Sequence, residues 1–244
     1  MQKLLFFLCV AALLVACTKQ VDEVNPTTVP QLAPYAVGKS WLYRLDSTIA
    51  PAFGAGLRTR SYQCLDTVTA SFSDINGNTQ YRIFRLIRDT AGTTPWVNSG
   101  TIVVTYKNNN LEWSENNLRF INLAAPVVEN TSWKGNIYID TKSINSPWRY
   151  LDEWNYTYQN VLQPYTVGSR TFDSTVTVLQ ADETIPDAPF NPNNFQQKNL
   201  GVEVWAKGIG LVYKEFLHYT YQVTPVPGYE EGSYGIRLRL ISSR

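Results

Sequence analysis

From Ser40 onward, apolar residues recur at every second position, and no segment of eleven or more residues carries a helical stripe. Successive side chains on a strand point to opposite faces, so this period predicts strands with one buried face. Trp41, Tyr43 and Leu45 share one face, with Arg44 and Asp46 on the other. Tyr62, Cys64, Val68, Ala70 and Phe72 continue the alternation up to Asp74-Ile75-Asn76-Gly77-Asn78, whose Asn-Gly pair suits the positive φ angles of a tight hairpin, and Tyr81 to Ile87 runs back as its partner. Ile102, Val104 and Tyr106 lead into a second turn at Asn108-Asn109-Asn110, with Leu111 and Trp113 returning. Leu118 to Leu123 is a short strand, and Pro126, Asn130 and Gly135 mark an irregular stretch before Ile137 to Ile139. Phe172, Val176 and Val178 form a strand, followed by a long Pro- and Asn-bearing connection over residues 181–200. Val202 and Val204 pair with Leu211 to Tyr221 around Gly208-Ile209-Gly210, and Ile236, Leu238 and Leu240 form a terminal strand with Arg237 and Arg239 outward. The expected fold is all-β: a single domain of nine to eleven antiparallel strands in a curved sheet, a barrel or half-barrel, with a two-sheet sandwich as the alternative.

The amino-terminal segment has a different character. Lys3 is followed by an unbroken apolar run from Leu4 to Val15, too short to span a bilayer, which needs about 20 apolar residues. A positive start, an apolar core and a small residue at Ala16 constitute a secretory signal. Residues 18–35 carry Pro26, Pro30 and Pro34 among Asn, Thr and Gln, a composition that favours an extended tether. The expected division is residues 1–16 as signal peptide, 17–35 as Cys17 and its tether, and 36–244 as the β domain.

Leu14-Val15-Ala16-Cys17 resembles a bacterial lipobox. The resemblance implies cleavage before Cys17, diacylation of the Cys17 thiol and acylation of the new amino terminus with palmitate-type chains, which anchor a protein to a membrane without a spanning segment. Thr18, rather than Asp, after the cysteine resembles lipoproteins sent to the outer membrane. Lys19, Asp22 and Glu23 are similar to a surface-export signal, but Gln20 and Val21 interrupt it, leaving periplasmic face and cell surface both open. With Cys9 removed and Cys17 lipidated, Cys64 is the one free thiol, expected to be buried on a strand.

Charge and composition exclude several functions. Basic residues number 21 and acidic residues 20, and Lys3 in the leader is the surplus cation, so the mature chain has no net field for nucleic acid. One His, three Cys and one Met supply little for a metal centre, and no cofactor motif is present. Gly208-Ile209-Gly210 lacks the third glycine of a dinucleotide loop. The stretch Ala206 to Tyr213 instead resembles a turn-and-strand of uncharacterised β-rich bacterial lipoproteins, which implies a half-barrel and no catalytic residues. His218 lies outside any nucleophile-elbow or zinc-protease motif.

Two features are candidate sites. Trp148, Tyr150, Trp154, Tyr156 and Tyr158 fall on one face if residues 148–158 are a strand, with Asp152 nearby. They form either a platform for a glycan or a flat apolar ligand, or the inner wall of an aromatic core. Ser47, Thr67, Thr90 and Ser174 each follow an aspartate in triplets resembling the O-glycosylation sequon of exported proteins in some Gram-negative phyla. No catalytic residue and no metal ligand is assigned. A glycoside hydrolase is the alternative, and it would need two carboxylates converging in a cleft. The expected role is therefore a non-enzymatic binding or scaffold lipoprotein, acting on a glycan or apolar small molecule in a concavity or on an envelope protein through the 181–200 connection.

Overall fold

A computed structural model of the chain describes residues 26–51 and 56–244. The leader, Cys17 and the first part of the expected tether lie outside the described residues.

The chain forms one antiparallel sheet. Its strands are β1 (Ser40–Ile49), β2 (Arg58–Ser73), β3 (Thr79–Asp89), β4 (Val97–Lys107), β5 (Asn110–Glu115), β6 (Leu118–Leu123), β7 (Ser132–Trp133), β8 (Tyr156–Val167), β9 (Arg170–Ile185), β10 (Gln196–Ala206), β11 (Gly210–Gln222), β12 (Gly228–Tyr229) and β13 (Tyr234–Ser243). The spatial order is β6-β5-β4-β3-β2-β1-β13-β11-β10-β9-β8-β7, with the short β12 paired to β11. Most neighbours in sequence are therefore neighbours in space; β13 inserts between β1 and β11 and joins the two halves, and β6 and β7 stand at opposite edges. The sheet curls until its two edges approach: the Ile121 N–H donates to Gly135 O at 2.7 Å and the Trp133 indole to Ile121 O at 2.7 Å. No ladder closes the gap among the described residues, so the architecture is a half-barrel. The count exceeds the expected number because β7 and β12 are two-residue strands, too short to show a period.

The hairpin chemistry is local. Gly77 takes φ +80°, and the Asp74 carboxylate accepts the Asn76 and Asn78 N–H groups. Asn108 and Asn109 have φ near +50° to +60°, the left-handed pair that a two-residue hairpin requires, and Asn116 and Asn117 repeat it between β5 and β6. In β2 the register shifts between Val68 and Ala70. This bulge reverses the side-chain parity, so Cys64 and Val68 face the core whereas Phe72, expected on the same face, is exposed.

Three expectations are corrected. The connection expected over 181–200 is confined to residues 186–195, because β9 runs on to Ile185 and β10 starts at Gln196. Both extensions are polar, which erased the apolar period there. Ile137 to Ile139 lies in turns and a bend. The tether does not reach Tyr35 either: Thr27, Val29, Leu32 and Ala33 are buried, and Val29–Leu32 forms a short helix, α1. Pro30 is tolerated because it sits in the first turn, where its missing N–H has no partner to lose. Gln31 O accepts the Gly208 N–H at 2.7 Å, and Ala33 O accepts the Tyr106 hydroxyl. α1 thus seals one end of the half-barrel against the β10–β11 turn and the end of β4.

Candidate functional site

Inside the curl lies a cavity of about 350 Å³. Trp113 on β5, Phe216 on β11, Tyr156 on β8 and Tyr234 on β13 supply aromatic wall, and Trp148 and Tyr150 approach from the segment before β8. Its floor is charged. Arg85 stands on the inward parity of β3 and makes a bidentate pair with Asp66 on β2, Nε to Oδ1 at 2.8 Å and Nη2 to Oδ2 at 2.7 Å. Both residues are buried. The remaining guanidinium edge donates to Glu115 Oε1 at 3.0 Å, and the Trp113 indole holds Glu115 Oε2 at 3.1 Å. Burial works against the Arg85 charge, but the two carboxylates beside it raise its pKa well above the ordinary arginine value.

A second charged pair faces the same space. Glu203 and Lys214 are directly opposite one another on β10 and β11, hence on one face, with Nζ 2.9 Å from Oε1. Asn122 donates to both Glu203 oxygens at 3.2 Å, and the Trp205 indole to Oε2 at 3.1 Å. Each oxygen of this buried carboxylate is satisfied, as a buried charge must be.

The aromatic residues 148–158 do not form one strand. Arg149–Leu151 is a 3₁₀ turn, and β8 begins only at Tyr156. Pro147 restricts the residue before it, and the Asp152 carboxylate bonds Thr141 Oγ1 at 2.6 Å and Lys142 Nζ at 2.5 Å, which holds the segment in a loop. The Lys142 hydrogen bond, then that of Thr141, keep this carboxyl below the ordinary aspartate range. The five rings consequently separate. Trp148, Tyr150 and Tyr156 line the cavity. Trp154 is buried against Phe216, with ring centroids 5.3 Å apart, in a space open only because Gly201 has no side chain: a Cβ there would lie 2.7 Å from the indole. Tyr158 is buried, and its hydroxyl bridges the N–H and C=O of Ala124.

No family model and no curated protein matches the sequence. Two solved structures resemble the chain. One is a protein from Bacteroides fragilis described as exported and as having a YmcC-like fold, 12% identical over 86% of this chain and 98% of its own, with a TM-score of 0.39. The other is described as a lipoprotein from Parabacteroides distasonis, 14% identical over 86% of this chain and 97% of its own, with a TM-score of 0.37.

His218, expected on the strand face opposite Leu217 and Tyr219, is half-buried beneath Tyr150. Its Nδ1 lies 2.7 Å from Asn199 Oδ1, and Asn199 donates in turn to Glu183 at 2.9 Å. The Tyr150 hydroxyl pairs with that of Tyr234 at 2.9 Å. Of the sequon hydroxyls, Thr90 and Ser174 are exposed, Thr67 is half-buried and Ser47 lines the cavity. Cys64 is fully buried beside Asp66, and burial pushes its thiol up to about 12.

Sequence reasoning missed Asp66, Arg85, Glu115, Glu203 and Lys214. A signal was present for the first two: Asp66 falls between Cys64 and Val68, and Arg85 between Ile83 and Ile87, so each is a charge at an inward parity position.

Proposed function

We propose that the chain is an envelope lipoprotein, anchored through Cys17 in the outer membrane, that binds a small ligand in the half-barrel cavity without transforming it. The observation that carries this reading is the cavity itself, walled by aromatic rings and floored by fixed hydrogen-bonding groups in the size range of small-molecule sites. Aromatic faces suit the apolar faces of a sugar ring or a flat apolar body, and the polar floor fixes orientation.

The anchor and the cavity are compatible. α1, the first described element after the tether, seals one end of the half-barrel, whereas Ser47 lies six residues along β1 from buried Trp41, about 20 Å at the rise of a strand. Ser47 therefore lines the cavity away from the end that α1 seals. A hydrolytic reading meets a chemical obstacle: a glycosidase pair needs a carboxyl free to give up a proton and another free to attack or activate water. Glu203 is tied up by Lys214, Asn122 and Trp205, so Glu115 has no second free carboxyl among the described residues lining the cavity. Thr90 and Ser174 are the sequon hydroxyls that a glycosyltransferase would reach.

The test is saturable binding to the detergent-solubilised mature lipoprotein, read from tryptophan fluorescence and melting temperature, across a set of oligosaccharides and ring compounds. A ligand that raises the melting temperature of the wild type and loses at least tenfold in affinity in Trp148→Ala is expected, a loss of about 1.4 kcal/mol. Saturable binding unaffected by Trp148→Ala and Phe216→Ala would move the site elsewhere and overturn the assignment of the cavity.

A further inference from the structure

The cavity does not balance its own charge. Among the described residues that line it, the ionised groups are Arg85, Lys214, Glu115 and Glu203, and Asp66 stands directly behind Arg85. Lys214 and Glu203 neutralise one another at 2.9 Å. Arg85, a single positive charge, faces both Asp66 and Glu115, and Asp66 takes two of its donors in the bidentate geometry. Glu115 is left as the surplus negative charge, its side chain 26% exposed and aimed into the cavity. Each Glu115 oxygen accepts one hydrogen bond, from Arg85 or from Trp113, and so keeps a further lone pair for a donor in the cavity.

We infer that the ligand of this cavity carries a positively charged amine, seated against Glu115 and the surrounding aromatic rings. The inference rests on the binding role proposed for the cavity and names its ligand class. Two independent features converge on it. One is the unbalanced carboxylate in a partly enclosed space, where a compensating charge is felt more strongly than in bulk water. The other is the wall. The electron-rich faces of Trp and Tyr attract cations, and Trp113, Trp148, Tyr150 and Tyr156 are among the rings that line the space. An anion would meet Glu115 with Arg85 already committed to two carboxylates. A neutral alcohol could hydrogen-bond to Glu115 but would leave the charge uncompensated.

The experiment uses three probes of similar size, phenethylammonium, phenethyl alcohol and phenylacetate, titrated into the full-length mature lipoprotein in neutral detergent at low salt. Tryptophan fluorescence and calorimetry supply the readouts. The ammonium is expected to bind roughly tenfold more tightly than the alcohol, with the carboxylate weakest. Glu115→Gln, which keeps one acceptor oxygen for Arg85 or Trp113 and removes the charge, is expected to bring the ammonium down to the level of the alcohol. If the alcohol binds as tightly as the ammonium to the wild type, or if Glu115→Gln leaves the preference unchanged, the cation assignment falls while the cavity remains a binding site. If no probe binds, the cation assignment falls, and the binding role of the cavity is decided by the oligosaccharide and ring-compound series.

Discussion

The imidazole of His218 lies flat against the ring of Tyr150, centroids 3.7 Å apart and planes 13° from parallel. Tyr150 lines the cavity on one side and, with His218, an open surface pocket on the other, so the stacked pair forms part of the wall between them.

Burial lowers the pKa of His218 below the ordinary 6.5, with Glu230 acting weakly in the opposite sense. Because the folded state then binds the proton less readily than the unfolded state, the contribution of His218 to stability is complete above pH 6.5 and is lost as pH falls through the depressed folded value. Urea denaturation of the wild type is expected to show stability declining from pH 7 to pH 5. His218→Phe keeps a ring for Tyr150 to stack on and removes the titration. It should be less stable by about 1 kcal/mol at pH 7, through loss of the bond to Asn199, and should show a flatter profile over the same interval. An equally steep decline in the variant would assign the acid sensitivity to other groups.

The bidentate Arg85–Asp66 pair is expected to dominate single-residue losses at the cavity floor. Arg85→Met leaves buried Asp66 without its counterion, which typically costs about 3 to 5 kcal/mol, whereas Asp66→Asn leaves Arg85 paired with Glu115 at 3.0 Å and should cost less. Replacing both, as Asp66→Leu with Arg85→Met, removes the buried pair altogether and should be less damaging than Arg85→Met alone, although Glu115 then loses a donor. Chemical denaturation of the three variants and the wild type checks the order. Additive losses in the double variant would mean that the two side chains act independently, contrary to their 2.7 and 2.8 Å contacts.

How much of this was legible in the sequence depends on what carried the signal. The hairpins at Gly77 and at Asn108-Asn109 were readable because a backbone with positive φ is a local demand that few residue types meet. The curvature followed from strand number and short connections. The Phe72 error came from a bulge that one register shift creates and that no apolar pattern announces. The aromatic segment misled for a different reason: Trp148, Tyr150, Trp154, Tyr156 and Tyr158 have the spacing of a strand face, but Leu151 is buried in a 3₁₀ turn and Asp152 is held by Lys142 from outside the segment. Long-range partners such as Asn122 and Glu203, 81 residues apart, have no local mark at all.

Cys64 is expected to be chemically silent in the folded protein. It is fully buried at the core face of β2, its Sγ 3.8 Å from Asp66 Oδ1, and burial raises its pKa to about 12. The thiolate that reacts with iodoacetamide is therefore scarce and shielded at pH 8. Mass spectrometry should find no alkylation of Cys64 in native protein over an hour and complete alkylation in denaturant. Rapid native labelling would show that β2 and β3 separate often enough to expose the core.

The anchor makes the last prediction, and it is independent of the cavity. If Cys17 is lipidated, Cys17→Ser blocks both acylation and cleavage before residue 17 by a lipoprotein-specific peptidase. The variant should retain the mass of the leader or be processed at another position, and should lose detergent-phase partitioning as an acylated species. Its β domain starts no later than buried Thr27, ten residues beyond Cys17, so folding of the sheet is expected to survive. Circular dichroism and melting temperature should match the wild type in detergent to within a few degrees. Unchanged intact mass and unchanged partitioning in Cys17→Ser would remove the lipid anchor and the membrane placement with it, while leaving the ligand-binding tests of the half-barrel untouched.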